Sequence, residues 1–258
     1  MIPKKIHYCW FGGNPLPELA QKCIASWEKY CPDYEIIQWN EENYDITKNT
    51  YMHQAYEQKK WGFVPDYARL DIIYTHGGIY LDTDVELIKP IDELLELDGF
   101  AGLEQNSEFV ALGLGFGASK EHPTIRALRD FYDTLSFVEN GEINLTPAPK
   151  INTTVLQGMG YRYSKGVMEV CGMRIFPSEY FCPVNYDTNE LTITDNTYSI
   201  HHYTASWYDD TQRYALTLKR KFGKILPRRP AAILATAVAK AKCEGIGACM
   251  KWIFKKRK

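Results

Sequence analysis

Two carboxylates one residue apart, Asp82 and Asp84, are the side chains of this sequence best placed to do chemistry. They follow an apolar Ile-Tyr-Leu triplet at 79–81, which is typical of a short buried strand. Because side chains alternate along an extended backbone, both carboxylates would lie on one side at the strand's end. A crowded pair of this kind is costly unless a cation neutralises it, and its oxygen ligands suit Mg²⁺ or Mn²⁺. The alternative is a solvated loop with two ordinary surface acids.

A second charged pair, Asp66 and Arg69, lies on a helix predicted over residues 64–76. A proline at its start and a Gly-Gly pair after its end mark the two boundaries. Residues three apart project from the same helical face, so these two side chains lie together. Beside a metal site, they could contact a sugar's hydroxyls and a phosphate. The alternative is an intrahelical surface ion pair with no functional meaning.

The segment containing both pairs resembles the signature of a known family. Asp66-x-x-Arg69 followed by Gly-Gly-Ile-Tyr-Leu-Asp-x-Asp is similar to glycosyltransferase family 32, whose members carry a DXD sugar-binding motif. The family includes bacterial capsule and polysaccharide transferases and fungal mannosyltransferases, and clostridial glucosylating toxin domains are distant relatives. Residues 2–13 resemble its N-terminal strand and loop, and residues 201–207 resemble its closing His-x-x-x-Ser-Trp segment. The three motifs occur in the expected order and cover about residues 1–210.

The resemblance implies a fold and a set of site residues. The fold is α/β, a GT-A type (Rossmann-like) nucleotide-sugar-binding fold, here followed by a helical basic C-terminal extension. The implied catalytic residues are Asp82, Asp84, Asp66 and Arg69, and the implied metal ligands are Asp82, Asp84 and His202. The implied nucleotide-sugar-binding residues are Trp10, Asn40, Asp66, Arg69, Asp82, Asn152, His202, Ser206 and Trp207.

Four of these side chains also have a purely structural interpretation. Trp10 is either a core aromatic or, at a strand end beside two glycines, a platform for the nucleotide base. Asn40 could cap the turn that follows it, and Asn152 could cap a helix. His202 could be a buried histidine with structural hydrogen bonds only.

The first hundred residues alternate between strand and helix patterns. Strands are predicted at 5–10, 34–39 and into Asp82, with helices at 17–30, 51–60 and 64–76 between them. This order favours an α/β sheet with a parallel centre, which binds a nucleotide at the carboxyl ends of its strands. The predicted organisation is a catalytic domain over 1–215 and a basic amphipathic helical tail over 216–258.

Composition places this 258-residue chain among soluble cytoplasmic proteins. Its hydrophobic content of 45% and charged content of 24% are ordinary for a globular protein. The seven cysteines are scattered and show no Cys-x-x-Cys pair, which argues against a zinc site or a disulfide framework. The N-terminus lacks a signal-peptide pattern, and no run of 18 apolar residues predicts a membrane span.

The net charge of −2 conceals a strong asymmetry. Residues 219–258 contain 13 Lys and Arg against one acid, Glu244, a net +12 that leaves −14 on the other 218 residues. Because the basic residues alternate with Trp, Phe, Ile and Leu, the tail suits an interfacial helix on an anionic membrane surface. A solvated tail, an oligomer contact and nucleic acid are the alternatives. The expected location is therefore cytoplasmic, peripheral to the cytoplasmic face of the membrane.

The family resemblance implies a retaining hexosyltransferase of polysaccharide biosynthesis. It would move a sugar from a nucleotide sugar, with UDP-galactose or UDP-glucose favoured, to a glycan or lipid-linked oligosaccharide. A divalent ion, Mn²⁺ or Mg²⁺, would stabilise the leaving diphosphate. Two other classes remain open: a metal-dependent sugar-nucleotide hydrolase or pyrophosphorylase, and a carbohydrate-binding protein without enzymatic activity.

Overall fold

The computed structural model describes residues 1–105, 107–185, 190–203 and 210–255. The chain divides into two compact units: Met1–Pro183 with Thr192–His202, and Val184–Leu191 with Tyr203–Lys258. The boundary predicted after residue 215 falls inside a helix of the second unit, whereas the units divide after His202. Within the described ranges, no helix is both long and apolar enough to cross a bilayer.

The first unit is built on an eight-stranded mixed sheet in the order β10-β11-β5-β7-β3-β1-β2, with β6 paired to β5. Its strands are β1 (Lys5–Cys9), β2 (Glu35–Trp39), β3 (Gly78–Tyr80), β5 (Gly99–Leu103), β6 (Val110–Ala111), β7 (Phe116–Ala118), β10 (Met168–Val170) and β11 (Met173–Phe176). Two small sheets pair β4 (Val85–Leu87) with β12 (Ser199–His201), and β8 (Val138–Glu139) with β9 (Glu142–Ile143).

Helices alternate with the strands of the first unit. They are α1 (Glu18–Tyr30), α2 (Thr50–Glu57), α3 (Pro65–His76), α4 (Pro123–Phe131) and α5 (Ala148–Gly158), with 3₁₀ turns at Asp92–Glu96, Leu112–Leu114, Tyr132–Thr134 and Ser178–Tyr180. The predicted α/β class is confirmed: the main sheet has a parallel centre, and the C-terminal part of the chain is helical.

The centre of the sheet is parallel because α3 returns the chain to the start of the next strand. β1 pairs in parallel with both β2 and β3. The turn after α3 depends on Gly77, whose φ of 65° lies in the left-handed region that favours glycine. Consequently the residues that follow β1, β2 and β3 emerge at the same edge of the sheet.

The second unit is helical in its C-terminal part, as predicted. It contains α6 (Asp210–Phe222), α7 (Arg228–Cys243) and α8 (Ile246–Lys255), and α7 contacts both α6 and α8.

Candidate functional site

Two aspartates and a histidine converge just beyond the end of β3. One ligand atom each from Asp82, Asp84 and His201 lies within 4.8 Å of the others. The histidine belongs to a distant part of the chain. It reaches the aspartates because β12 pairs antiparallel with β4, which places His201 opposite Val85. Its Nε2 lies 3.2 Å from the Asp84 Oδ1. Two carboxylates and an imidazole are a donor set that can hold a divalent metal ion.

Arg69 joins the predicted charged pair to this cluster. Its Nη2 donates to the Asp66 Oδ1 at 2.8 Å, and its Nη1 lies 3.6 Å from the Asp82 Oδ1. The Arg69 Nε also donates to the Pro65 carbonyl oxygen at 3.0 Å, and the guanidinium lies over the Tyr80 ring. Both members of the Asp66–Arg69 pair are buried, so the alternative of a surface ion pair is excluded. These contacts hold the Arg69 guanidinium in place, and the guanidinium in turn orients the Asp82 carboxylate.

Burial and crowding shift the pKa values of these groups. Burial raises the pKa of Asp66 to about 7, opposed by the Arg69 guanidinium and assisted by the Asp82 carboxylate. Burial also raises the pKa of Asp82, opposed by Arg69 and assisted by Asp84. For His201, burial alone lowers the pKa, but the facing carboxylates of Asp84 and Asp82 raise it above its ordinary value. The carboxylates therefore favour an added positive charge at this place.

Sequence reasoning missed Gly113, in the 3₁₀ turn Leu112–Leu114. A Cβ at this position would overlap the Asp82 Oδ2 and would lie 3.2 Å from the Arg69 Nη1. The absence of a side chain thus lets the backbone approach the Asp82–Arg69 pair closely. The only sequence signal was the glycine itself, which does not identify its partner.

The structure corrects the predicted metal ligand His202. Its Nε2 lies 2.8 Å from the Glu86 Oε2, and its place among the grouped ligands is taken by His201. The reason is that adjacent residues of an extended segment point to opposite sides, so only one of two neighbouring histidines can face the aspartates. The His-x-x-x-Ser-Trp spacing selected the wrong one, although the doubled histidine was a visible signal.

Trp10 and Asn40 emerge at the same sheet edge as Asp82, after β1 and β2. Trp10 is half-buried and is not part of the core; its ring N–H donates to the Asn14 carbonyl oxygen at 2.6 Å. The Asn40 Oδ1 accepts from the Glu42 backbone N–H at 2.9 Å, which is the turn-capping interaction considered as its alternative. Nucleotide contacts by these two residues stay predictions.

Asn152 lies inside α5 and is buried, so it is not a helix cap. Among the described residues, its Oδ1 has no hydrogen-bond partner, which is costly for a buried amide. α5 contacts the turn that carries Gly113. A role for Asn152 in sugar binding stays a prediction.

Ser206 and Trp207 lie outside the described residues.

A cavity of about 390 Å³ lies apart from these groups, beside the C-terminal half of α3. None of the predicted site residues lines it. One of its two carboxylates, Asp71, accepts from the Tyr44 hydroxyl at 2.8 Å and from the Lys48 Nζ at 3.0 Å. Because these contacts already satisfy Asp71, we interpret them as a structural network and place the chemistry at the Asp82–Asp84–His201 cluster.

Comparison with known proteins supports this placement. Residues 17–101 match the family described as "Glycosyltransferase sugar-binding region containing DXD motif", a stretch that includes Asp66, Arg69, Asp82 and Asp84. Subversion of eukaryotic traffic protein A of Legionella pneumophila is 29% identical over 129 residues, which cover 38% of this chain and 20% of that protein. Inositol phosphoceramide mannosyltransferase 3 of Schizosaccharomyces pombe is 31% identical over 126 residues, which cover 47% of this chain and 35% of that protein.

A solved structure described as "PaToxG Glycosyltransferase" aligns with a TM-score of 0.45 and 16% identity, over 61% of this chain and 68% of that one. The two curated relatives are much longer than the matched segments, since the alignments span 20% and 35% of their lengths. The family resemblance indicated by the motifs is confirmed over the segment that carries Asp66 to Asp84.

Proposed function

We propose that this chain is a retaining hexosyltransferase, because residues 17–101 match the family described as a glycosyltransferase sugar-binding region containing a DXD motif. It would move a hexose from a nucleotide sugar to a glycan or lipid-linked oligosaccharide in polysaccharide biosynthesis. The observation that carries this proposal is the convergence of Asp82, Asp84 and His201 at the end of β3. A nucleotide-binding α/β sheet holds its ligand at this edge.

The residues present fit a divalent ion. The negative charges of Asp82 and Asp84 repel each other, so a bound cation would stabilise both carboxylates. His201 adds a nitrogen ligand within reach of both. Imidazole with carboxylates suits a transition metal such as Mn²⁺ better than Mg²⁺, which prefers oxygen ligands and water. When bound by these three residues, the ion would act as a Lewis acid toward the diphosphate leaving group.

The protein's own residues would prepare this centre and hold the donor. Arg69, fixed by Asp66 and by the Pro65 carbonyl, keeps the Asp82 carboxylate in position. The half-buried Trp10 ring would stack on the nucleotide base at the same sheet edge. Because β1 and β3 pair in parallel, the base platform and the carboxylate pair follow neighbouring strands at one sheet edge.

Retention of anomeric configuration is proposed from the family resemblance. Asp82 and Asp84 are assigned to the ion, and Asp66 accepts from Arg69. This assignment favours front-face transfer over a covalent intermediate on a carboxylate. In front-face transfer, the departing phosphate would take up the proton of the acceptor hydroxyl.

The sequence favours UDP-galactose or UDP-glucose as donor. The relative named as a mannosyltransferase makes mannose a second candidate, carried by GDP. We place the enzyme in the cytoplasm, peripheral to the membrane face where lipid-linked acceptors would be available.

A donor panel tests the proposed function. Purified protein with Mn²⁺ is mixed with UDP-galactose, UDP-glucose or GDP-mannose, and the unfolding temperature and nucleotide release are measured. One donor should raise the unfolding temperature and release its nucleotide, because binding to the folded state stabilises it. Asp82→Asn should abolish both effects, and Thr83→Ala should retain them. Stabilisation by no sugar nucleotide would contradict the proposal, donor synthesis from a nucleoside triphosphate would indicate a pyrophosphorylase, and binding without turnover under any acceptor would indicate a binding protein.

A further inference from the structure

We propose that the second unit docks onto an anionic lipid bilayer through the outward faces of α7 and α8. This inference deepens the membrane-peripheral location given under the proposed function, and it concerns a surface that holds none of the groups assigned to chemistry. It rests on how large and small apolar side chains are distributed in these helices, and on the charge of the residues around them.

α7 buries its small side chains and exposes its large ones. Ala231, Ala235 and Ala239, spaced four apart on one face, are 1%, 1% and 0% exposed. Ile233 and Leu234 are 50% and 43% exposed. A helix of a globular protein normally turns its larger hydrocarbons toward the core, because their burial stabilises the fold most. Because α7 instead exposes its larger apolar side chains, we infer that its exposed face contacts an apolar partner.

The outer face of α7 is apolar along its length. At 100° per residue, positions 230, 233, 234, 237, 238 and 241 fall within one continuous arc. They carry Pro, Ile, Leu, Ala, Val and Ala. This arc is more than a third of the helix circumference and includes no charged residue.

α8 repeats the pattern on a shorter helix. Ile246, Met250 and Phe254 are spaced four apart and therefore share a face, and they are 75%, 46% and 57% exposed. Cys249 lies on another side of the helix and is buried. Ile225, in the connection before α7, is 85% exposed. Large aliphatic and aromatic side chains thus recur on the surface of this unit.

The charge around these faces selects an anionic partner. Residues 219–258 carry a net +12, and Lys224, Arg229 and Lys251 are exposed. An anionic bilayer offers phosphate and carboxylate groups above hydrocarbon at one surface, so it satisfies cations and apolar side chains together. A nucleic acid also attracts the cations, but its phosphates offer no hydrocarbon to cover the exposed aliphatic side chains. The lipid surface is therefore the occupant that the residues fit best.

The experiment is vesicle co-sedimentation of the full chain, read without any donor or acceptor. Vesicles of phosphatidylcholine alone are compared with vesicles that also contain phosphatidylserine, at low and high salt. The apolar variant is Ile233→Ser with Leu234→Ser, and the charge variant is Arg229→Glu with Lys251→Glu. Matched controls change exposed residues of the first unit: Leu145→Ser with Ile193→Ser, and Lys29→Glu with Lys165→Glu. Circular dichroism checks that each variant is folded.

The protein should sediment with the phosphatidylserine vesicles and not with phosphatidylcholine alone, and salt should weaken the binding. The apolar variant should lose about tenfold in binding, and the charge variant roughly fivefold or more for each cation removed. The controls should bind as the wild type does. Unchanged binding by both tail variants would overturn the inference. Self-association through these faces, or binding of RNA with no binding of phosphatidylserine vesicles, would overturn it as well. Because turnover is not measured, failure here is distinct from failure of the proposed function.

Discussion

At the scale of single residues, the glycine at position 113 leaves space for the Asp82 carboxylate beside Arg69. A Cβ at this position would overlap the Asp82 Oδ2 and lie 3.2 Å from the Arg69 Nη1, so it would push one of these groups aside. Arg69 is anchored by Asp66 and by the Pro65 carbonyl oxygen. Asp82 is less constrained, and we expect it to be the group that moves.

Gly113→Ala should therefore impair the metal centre without removing a ligand. Donor turnover should fall by roughly a hundredfold, the scale of a 1 Å misplacement at a reacting centre. The measurement is nucleotide release at saturating Mn²⁺. Gly166→Ala is the matched control, because a Cβ at Gly166 would meet no atom within 4 Å. Equal turnover of the Gly113 variant and the wild type would show that the turn adapts freely.

Residue types and spacing predicted part of this centre. Asp82, Asp84, Asp66 and Arg69 were named because their spacing places each pair on one face. His201 was not, because choosing between adjacent histidines requires the pairing of β12 with β4, a contact between segments more than a hundred residues apart.

At the scale of elements, a buried histidine links β1 to the turn after α3. The His7 Nε2 lies 3.0 Å from the Gly77 carbonyl oxygen and must donate to it. The His7 Nδ1 accepts from the Trp39 indole N–H at 3.1 Å. The ring is therefore neutral with its proton on Nε2, because protonated Nδ1 would face another donor. Burial lowers the pKa of His7 from its ordinary value to about 4.

This predicts a loss of stability in acid. Between the unfolded pKa of 6.5 and the folded pKa of about 4, the unfolded chain binds a proton that the folded chain does not. Stability should thus fall as the pH drops, by about 2 kcal/mol between pH 7 and pH 5 for this group alone. Urea unfolding of the wild type and His7→Gln at both pH values measures it. The variant can keep both hydrogen bonds and should lose that share of the pH dependence.

The control is His53→Gln, at a side chain that is 41% exposed. In this variant, the free energy of unfolding should differ between pH 7 and pH 5 by as much as it does in the wild type. An identical pH dependence in His7→Gln and the wild type would contradict the assignment of a neutral buried ring.

Most elements of the first hundred residues follow from periodicity, and their ends shifted by a few residues at most. Beyond the first hundred residues, the structure adds two further helices to the first unit, α4 and α5. Both helices carry a proline in the first turn, as α3 does, so a helix-start signal was present in the sequence. α4 begins after His122, whose Nδ1 accepts from the Thr124 backbone N–H at 3.2 Å. A histidine in the capping position is not among the usual helix-start signals.

At the scale of the whole molecule, charge is divided along the chain. The basic residues cluster after residue 218, and the acidic excess belongs to the part that carries the candidate metal centre. This division was visible in the sequence. The assignment of Val184–Leu191 to the second unit was not, because that segment precedes the end of the first unit and joins the second only through tertiary contacts.

The central claim is that Asp82, Asp84 and His201 form one divalent metal centre that supports transfer from a nucleotide sugar. The most direct test is the Mn²⁺ dependence of nucleotide release after treatment with EDTA, in the wild type, His201→Gln and His202→Gln. EDTA should abolish turnover and Mn²⁺ should restore it. His201→Gln should require at least about tenfold more Mn²⁺, the scale expected for a disturbed metal site, and His202→Gln should respond to Mn²⁺ as the wild type does. Full turnover in EDTA, or a weakened Mn²⁺ response in His202→Gln but not in His201→Gln, would contradict the claim.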